Sequence, residues 1–427
     1  MKYKASFYDN FYDERDDGSA LCLNAATGAL ARLDGDVVDK LKNGDADELE
    51  AREFFPALLS AGFVVKDSFD EFENYRFRAA KHAFGENDGT SSFIIAPTMA
   101  CNLKCVYCFE SESGKTRPMN DETAEKIFKF VMNRTKAEKT GKLHVNWFGG
   151  EPLLAYDAIL DLSDKLVAAC DEKGIEYSAS IVSNATLMTR ERVEELKERA
   201  KTRHAQVSMD GDEDMYGRLK GARKGDFEKA FRSIIDLAEV GIGVSVRLNV
   251  CKENLESLLR LARRLASERT FHGIVYAGKL ISYGKDDAFT EISDEGLAYF
   301  ETELEKIVSK YDEYEKFARK ALKPKGSACG YMVDGRCLID GEGLLYRCEH
   351  HVGNRDLAIG NVDDGFLHNA LDNEYLLAPI PERCRKCSVM PLCMGGCASD
   401  RIMHGKWIGC GYVEKKVERL CKFVAKN

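Results

Sequence analysis

Ala100-Cys101-Asn102-Leu103-Lys104-Cys105-Val106-Tyr107-Cys108-Phe109-Glu110 places three thiols in Cys-x3-Cys-x2-Cys spacing, with an aromatic residue beside the last. Three thiolates this close in sequence can close a loop around one soft-metal cluster. If no other side chain reaches them, one iron of a four-iron cluster has no protein ligand, and chemistry would happen at that corner. Structural zinc is the alternative use of such thiols. A closed zinc site takes four ligands, usually as two closely spaced pairs, and no fourth Cys or His follows nearby.

The segments around this loop alternate between strand and helix patterns. Ser92 to Ala100 reads as a mostly apolar strand and Thr123 to Arg134 as an amphipathic helix. The later strands read as Leu143 to Phe148, Tyr177 to Val182, His204 to Met209, Val244 to Val250 and Gly273 to Ala277, with helices between them. Six such units predict an α/β fold whose parallel sheet curls into a partial (β/α)6 TIM barrel, with the site at the C-terminal strand ends.

The cysteine loop resembles the cluster loop of radical S-adenosylmethionine (radical SAM) enzymes. The resemblance implies that Cys101, Cys105 and Cys108 hold a 4Fe-4S cluster, that Tyr107 lies at the cofactor, and that S-adenosyl-L-methionine chelates the open iron. An electron from the cluster would then cleave the cofactor to a 5′-deoxyadenosyl radical, the protein supplying binding and orientation. Gly149-Gly150-Glu151-Pro152 follows the second strand. Two glycines let a backbone approach a ligand, and a carboxylate accepts bonds from an ammonium group. An ordinary turn is the other reading, but the motif is similar to the family's Gly-Gly-Glu-Pro, which holds the methionyl amine. Ser183-Asn184-Ala185 resembles a Thr-Asn-Gly turn of relatives, with Ala185 where Gly is usual. Ser208-Met209-Asp210-Gly211 is similar to the family's Ser-x-Asp-Gly, which implies Ser208 near the cofactor ribose or carboxylate and Asp210 nearer the substrate. Arg247 and Asn249 share one face of the fifth strand. In relatives an Arg here meets the cofactor carboxylate; an interstrand Arg is the alternative.

Further on come Cys329, Gly343, Cys348, then Cys384-x2-Cys387-x5-Cys393-x3-Cys397, and Cys410. This spacing resembles the seven-cysteine SPASM extension of radical SAM enzymes and implies two auxiliary 4Fe-4S clusters, three in all. By resemblance Cys329, Cys348 and Cys397 ligate the first, and Cys384, Cys387, Cys393 and Cys410 the second. Cys337 is a candidate fourth ligand of the first; without it that cluster keeps an open iron, which in some relatives binds a substrate thiol. Zinc in the four-cysteine group is the alternative. Cys22, Cys170, Cys251 and Cys421 read as buried thiols.

Boundaries follow from these patterns. Residues 1–86 resemble a winged-helix-like peptide-recognition module, with helices from Gly35 to Lys42 and Glu50 to Ala61, and the polar stretch 72–90 reads as a linker. Residues 91–280 form the radical SAM partial barrel, 281–325 a charged bridge with one long helix from Asp294 to Leu322, and 326–427 the SPASM domain.

Hydrophobic residues are 44% and charged residues 31%, and no apolar run is long enough to span a bilayer, which predicts a soluble chain. The N-terminus lacks the apolar core of a signal peptide, so a cytoplasmic location is expected. Fifteen cysteines then point to metal or redox chemistry in a reducing compartment. A net charge of −9 without a Lys/Arg cluster argues against nucleic acid.

The resemblance thus implies a radical SAM/SPASM peptide maturase that abstracts a hydrogen from a carbon and joins that carbon to a Cys sulfur as a thioether. Carbon-carbon crosslinking and conversion of a sulfatase residue to formylglycine share the layout, the latter needing a base, for which Glu349 is a candidate. A non-catalytic iron-sulfur or zinc scaffold is the rival outside enzymes. The implied partners are a precursor peptide with a leader sequence and a cellular reductant such as flavodoxin or ferredoxin; no nucleic acid and no membrane are expected.

Overall fold

Five short strands open the chain in the computed structural model, which describes residues 2–84, 89–112, 116–135, 141–282, 288–405 and 410–426. Strand β1 (Tyr3–Ala5) pairs antiparallel with β5 (Val64–Lys66), and β2 (Asp9–Tyr12), β3 (Ala20–Asn24) and β4 (Ala29–Leu33) form an antiparallel sheet. Helices α1 (Gly35–Asn43) and α2 (Phe55–Ala61) close over a core of Cys22, Val37, Leu41, Leu49, Phe55, Leu58 and Phe63. The expected helix from Glu50 starts only at Phe55. Pro56 fixes that start, because a proline in the first turn loses no helical hydrogen bond.

The stretch expected as a linker from residue 72 is instead largely helical, α3 (Glu71–Phe84). Of its side chains only Tyr75 and Ala83 are buried, a stripe too narrow to show as a periodicity. Tyr75 is nonetheless a firm anchor, its hydroxyl donating to the Lys325 carbonyl at 2.6 Å. Gly85 to Asp88 of the expected linker lie outside the described residues.

The contacts divide the chain into two units: 1–86 with 315–332 and 377–427, and 87–314 with 333–376. Of the stretch 326–427, residues 326–332 and 377–427 fall in the first and 333–376 in the second. In the first unit the C-terminal helix (Cys410–Val424) packs on β2 and β3 through buried Val417, Leu420 and Cys421.

Asp9 shows what burial does in this unit. One carboxylate oxygen accepts from the Asn24 amide at 2.9 Å, and the other is buried without a partner among the described residues. Burial pushes its pKa up to about 8, with Glu71 adding to the rise. The folded chain thus holds this proton more tightly than the unfolded one. Its contribution is complete below about pH 4 and is lost as the pH rises through 8. Asp9→Asn is expected to flatten that fall and to be the more stable protein at pH 8 by roughly 1–3 kcal/mol, measured by urea unfolding at pH 5 and 8.

The second unit is built on parallel strands β6 (Thr90–Ala96), β7 (Lys142–Trp147), β8 (Glu176–Ser183), β9 (Thr202–Met209), β10 (Gly243–Val250) and β11 (Ile274–Lys279), paired in sequence order. Alternation along β7 buries Leu143, Val145 and Trp147 and leaves His144 and Asn146 half-buried, the pattern of a sheet with an apolar and a polar face. Strand β12 (Cys337–Asp340) adds a seventh parallel strand beside β6, followed by antiparallel β13 (Leu344–Tyr346), β14 (Gly360–Asn361) and β15 (Gly365–Phe366). Among the described residues the pairing order is linear, so the expected partial barrel is an open one.

The long helix expected from Asp294 to Leu322 is two, Asp294–Val308 and Asp312–Ala321. Val308 and Tyr314 are both buried. Six residues apart on one straight helix they would point to different sides, and the break between them turns both inward.

Candidate active site

Every β/α junction of the parallel sheet carries its loop at the same edge, the C-terminal ends of the strands. Strand β6 runs through Pro97-Thr98-Met99-Ala100 into the cysteine loop, and β7 runs into Gly149-Gly150-Glu151. The two are stapled together: the Gly150 amide donates to the Thr98 carbonyl at 3.2 Å and the Glu151 amide to Ala100 at 2.9 Å. A Cβ on Gly150 would lie 2.4 Å from the Met99 oxygen and 2.5 Å from that of Ala100; on Gly149, where φ is +123°, it would lie 2.2 Å from the Thr98 oxygen. In this structure the two glycines therefore permit close approach to the root of the cysteine loop.

Glu151 is fully buried. Its carboxylate accepts from the Ser183 hydroxyl at 2.8 Å, the Asn184 amide at 2.8 Å and the Leu153 amide at 3.1 Å. Burial pushes its pKa up, and these donors oppose the shift. It ties the second loop to the third. Asn184 carries the tie onward: its side-chain nitrogen donates to Asn102 at 2.9 Å and lies 3.8 Å from the Cys101 sulfur. Ala185 adopts a φ of +62° with its amide held by the Ser183 hydroxyl at 2.9 Å. The turn keeps its left-handed geometry at a cost of about 1–2 kcal/mol.

Asp210 is fully buried and is held away from solvent by its own partners. Its carboxylate accepts from the Tyr107 hydroxyl and from the Asn249 amide, the latter at 2.9 Å. The cysteine loop is tied to Asp210 through Tyr107. Asn249 in turn accepts from Arg247 at 3.0 Å, and the guanidinium lies against Gly278, where a Cβ would come within 2.7 Å of it.

At the mouth of the same unit Phe109 stacks on His350 with ring centroids 4.0 Å apart. Glu110, buried, has its pKa raised to about 8 by burial and then by Glu349 and Glu151. Glu349 is not the exposed carboxylate its sequence context allowed: burial raises its pKa, and the Arg247 charge opposes that.

Sequence reading missed Lys220 and Arg401. Lys220 ends a helix (Glu213–Lys220), where a basic residue looks like an ordinary complement to the helix dipole. It is 1% exposed, and its ammonium donates to Ser208 at 2.6 Å. Arg401 follows Cys397 by one helical turn, and no sequence signal distinguishes it from a surface arginine. Its Nε and Nη2 are buried without an acceptor among the described residues, and the thiols of Cys384, Cys397 and Cys393 lie within its field.

These observations bear on which groups the thiols can take. The Cys101 sulfur accepts from the Leu103 amide at 3.4 Å, the kind of bond that favours a thiolate. Cys384, Cys387, Cys393 and Cys410 act electrostatically on one another within the first unit. Among the described residues no three His, Cys, Asp or Glu side chains are drawn close enough to hold a single metal ion. Loop thiols with N–H donors aimed at them, and a half-buried guanidinium with two nitrogens lacking acceptors among the described residues while the third donates to the Pro379 carbonyl at 2.6 Å, fit larger anionic clusters. Cys329 and Cys397 belong to the first unit, Cys348 and Cys337 to the second. Cys337 is fully buried in β12, and the charges bearing on it are those of Arg347, Arg134 and Asp372.

Residues 95–265 match the Radical SAM superfamily model. Over these residues the chain carries a radical SAM domain. It is similar to the Fe-coproporphyrin III synthase of Methanosarcina barkeri, 29% identical over 47% of this chain; that match spans about half the relative's length, 48%. It is similar also to the mycofactocin maturase MftC of Mycobacterium tuberculosis, 26% identical over 72% of this chain and 78% of that one. Among solved structures it shares the fold of native anSMEcpe with bound AdoMet and Cp18Cys peptide, with a TM-score of 0.60 and 21% identity, over 79% of this chain and 99% of that one.

Proposed function

We propose that this chain cleaves S-adenosylmethionine reductively and uses the product to modify a ribosomally made peptide, joining a peptide carbon to a Cys sulfur: the 5′-deoxyadenosyl radical would take the hydrogen from the carbon, the thiol would lose its proton, and the remaining electron would pass to an auxiliary iron-sulfur cluster. The observation that carries the reading is the loop of Cys101, Cys105 and Cys108, rooted on Gly149-Gly150 and tied to Glu151, Asn184 and Asp210 at one edge of the parallel sheet. A relative named as a maturase and a fold neighbour holding a peptide support a peptide substrate. When bound, a 4Fe-4S cluster with S-adenosylmethionine would supply one-electron cleavage to a hydrogen-abstracting 5′-deoxyadenosyl radical.

The chain's own residues would do the rest. Cys101, Cys105 and Cys108 hold the cluster, with Tyr107 fixing the loop between them. The Gly149-Gly150-Glu151 backbone faces the methionyl amine, Glu151 itself positioning the turn; Asn184 and Ser208 line the cofactor, and Arg247 meets its carboxylate. Cys384, Cys387, Cys393 and Cys410 hold one auxiliary cluster, with Arg401 donating to it, and the resemblance to SPASM enzymes assigns the other to Cys329, Cys348 and Cys397. The surroundings of Cys337 favour its being a core thiol, which leaves the latter cluster an open iron for a substrate sulfur and favours thioether chemistry over carbon-carbon joining. A leader peptide would bind residues 1–86, and a flavodoxin or ferredoxin would deliver the electron.

Anaerobic reconstitution with iron, sulfide, dithionite and S-adenosylmethionine is expected to give 5′-deoxyadenosine at many turnovers per chain. Its absence from a fully loaded chain would overturn the reading. The reconstituted protein should carry about twelve irons. Cys337→Ala should leave that number unchanged, whereas a loss of several irons would make Cys337 a ligand and close the site the thioether reading needs.

A further inference from the structure

Lys220 is buried with no part in the chemistry so far described. Its backbone clamps the cysteine loop: the Lys104 amide donates to the Lys220 carbonyl at 3.0 Å and the Val106 amide to the Leu219 carbonyl at 2.9 Å. Gly221, at φ +58°, follows at once, and a Cβ there would lie 2.8 Å from the Lys104 oxygen. The helix end and the cysteine loop are thus in contact along their backbones. Its ammonium sits 5.3 Å over the Tyr216 ring and donates to the Ser208 hydroxyl.

A buried ammonium is costly unless countered by negative charge. Ser208 is neutral, and the acidic groups that act on Lys220 are Asp210, Tyr216 and the thiols of Cys105 and Cys101, with the Glu151 carboxylate coupled to it as well. Asp210 is already engaged with Tyr107 and Asn249. Those two partners are neutral and do not offset a carboxylate's charge, so the loop's thiols, once thiolates, add to Asp210 as counter-charge beside the same ammonium.

We propose that Lys220 is the fixed positive charge that sets the reduction potential of the cluster held by Cys101, Cys105 and Cys108. It is a positioning residue acting through the thiolates. The proposal rests on the reading of those three thiols given above. A reduced cluster carries one negative charge more than an oxidised one, so a nearby fixed cation stabilises the reduced state more, and net local charge is one of the terms that set such potentials. The chain would thereby be easier to reduce by a weak cellular donor.

The test is a redox titration of the reconstituted full chain followed by electron paramagnetic resonance, without S-adenosylmethionine. The signal of this cluster is identified as the one missing from a Cys105→Ser chain. Lys220→Gln is expected to lower the reduced-to-oxidised ratio at a fixed poise about tenfold, equivalent to 59 mV for one electron, while Lys220→Arg keeps it close to wild type. Should Lys220→Gln fail to load this cluster while Lys220→Arg loads it, the requirement for the charge stands. If neither variant loads it, packing rather than charge is what matters and the proposal falls. It falls also if Lys220→Gln loads with an unchanged potential. A wild-type loop without iron would overturn the reading of the thiols together with this proposal; a loaded wild type with insensitive variants overturns the proposal alone.

Discussion

Gly150→Ala should abolish most S-adenosylmethionine cleavage while leaving the protein folded. The added methyl carbon would stand 2.4 Å from the Met99 oxygen and 2.5 Å from the Ala100 oxygen, and both are backbone atoms that no rotamer change can move aside. Relief must come from shifting the segment that leads directly into Cys101, or from breaking the bond of the Glu151 amide to Ala100. Either way the first cluster thiol and the Glu151 carboxylate lose their common reference. Glu151 also fixes Ser183 and Asn184, so the displacement reaches the third loop. Misplacement by an ångström at a reacting centre costs on the order of 100-fold in rate. We expect 5′-deoxyadenosine formation to fall at least that far, with far-ultraviolet circular dichroism unchanged. A Gly150→Ala chain that cleaves at the wild-type rate would show that the turn is not coupled to the cysteine loop.

That coupling explains why parts of the site are legible in sequence and parts are not. Cysteine spacing and the Gly-Gly-Glu turn are local, and their chemistry depends on neighbours a few residues away. Strand and helix periodicities are local too, and the six strands β6 to β11 fall close to where their patterns put them. Asp210 is different: its motif is readable, but its partners Tyr107 and Asn249 come from other parts of the chain, and nothing local announces the tie they make. Lys220 is indistinguishable in sequence from a surface lysine, because burial of its ammonium depends on Gly221 and on loop backbone more than a hundred residues away. The helix Glu71–Phe84 was hidden for the converse reason, its charged surface outweighing one buried tyrosine. The seventh parallel strand could not be placed either, since nothing in Cys337-Leu338-Ile339-Asp340 says which earlier strand it joins.

Asp372→Ala is expected to destabilise the second unit by about 3–5 kcal/mol. The Arg347 and Asp372 side chains are both fully shielded from solvent, and the Arg347 Nε donates to the carboxylate at 2.6 Å. Another guanidinium nitrogen donates to the carbonyls of Val333 at 2.8 Å and Arg336 at 2.7 Å, so the arginine holds the segment entering β12. Removing the carboxylate leaves a cation where water cannot reach it, and that penalty exceeds the net strength of the pair. The loss should lower the thermal midpoint by on the order of 10 °C, followed by the near-ultraviolet signal of the tryptophans. The double variant Arg347→Met with Asp372→Leu separates the causes, since apolar replacement of a whole buried pair is often neutral or better. It should recover most of the loss. A single Asp372→Ala variant within about 1 kcal/mol of wild type would mean that water enters this site in solution, and the pair would then rank with ordinary surface bridges.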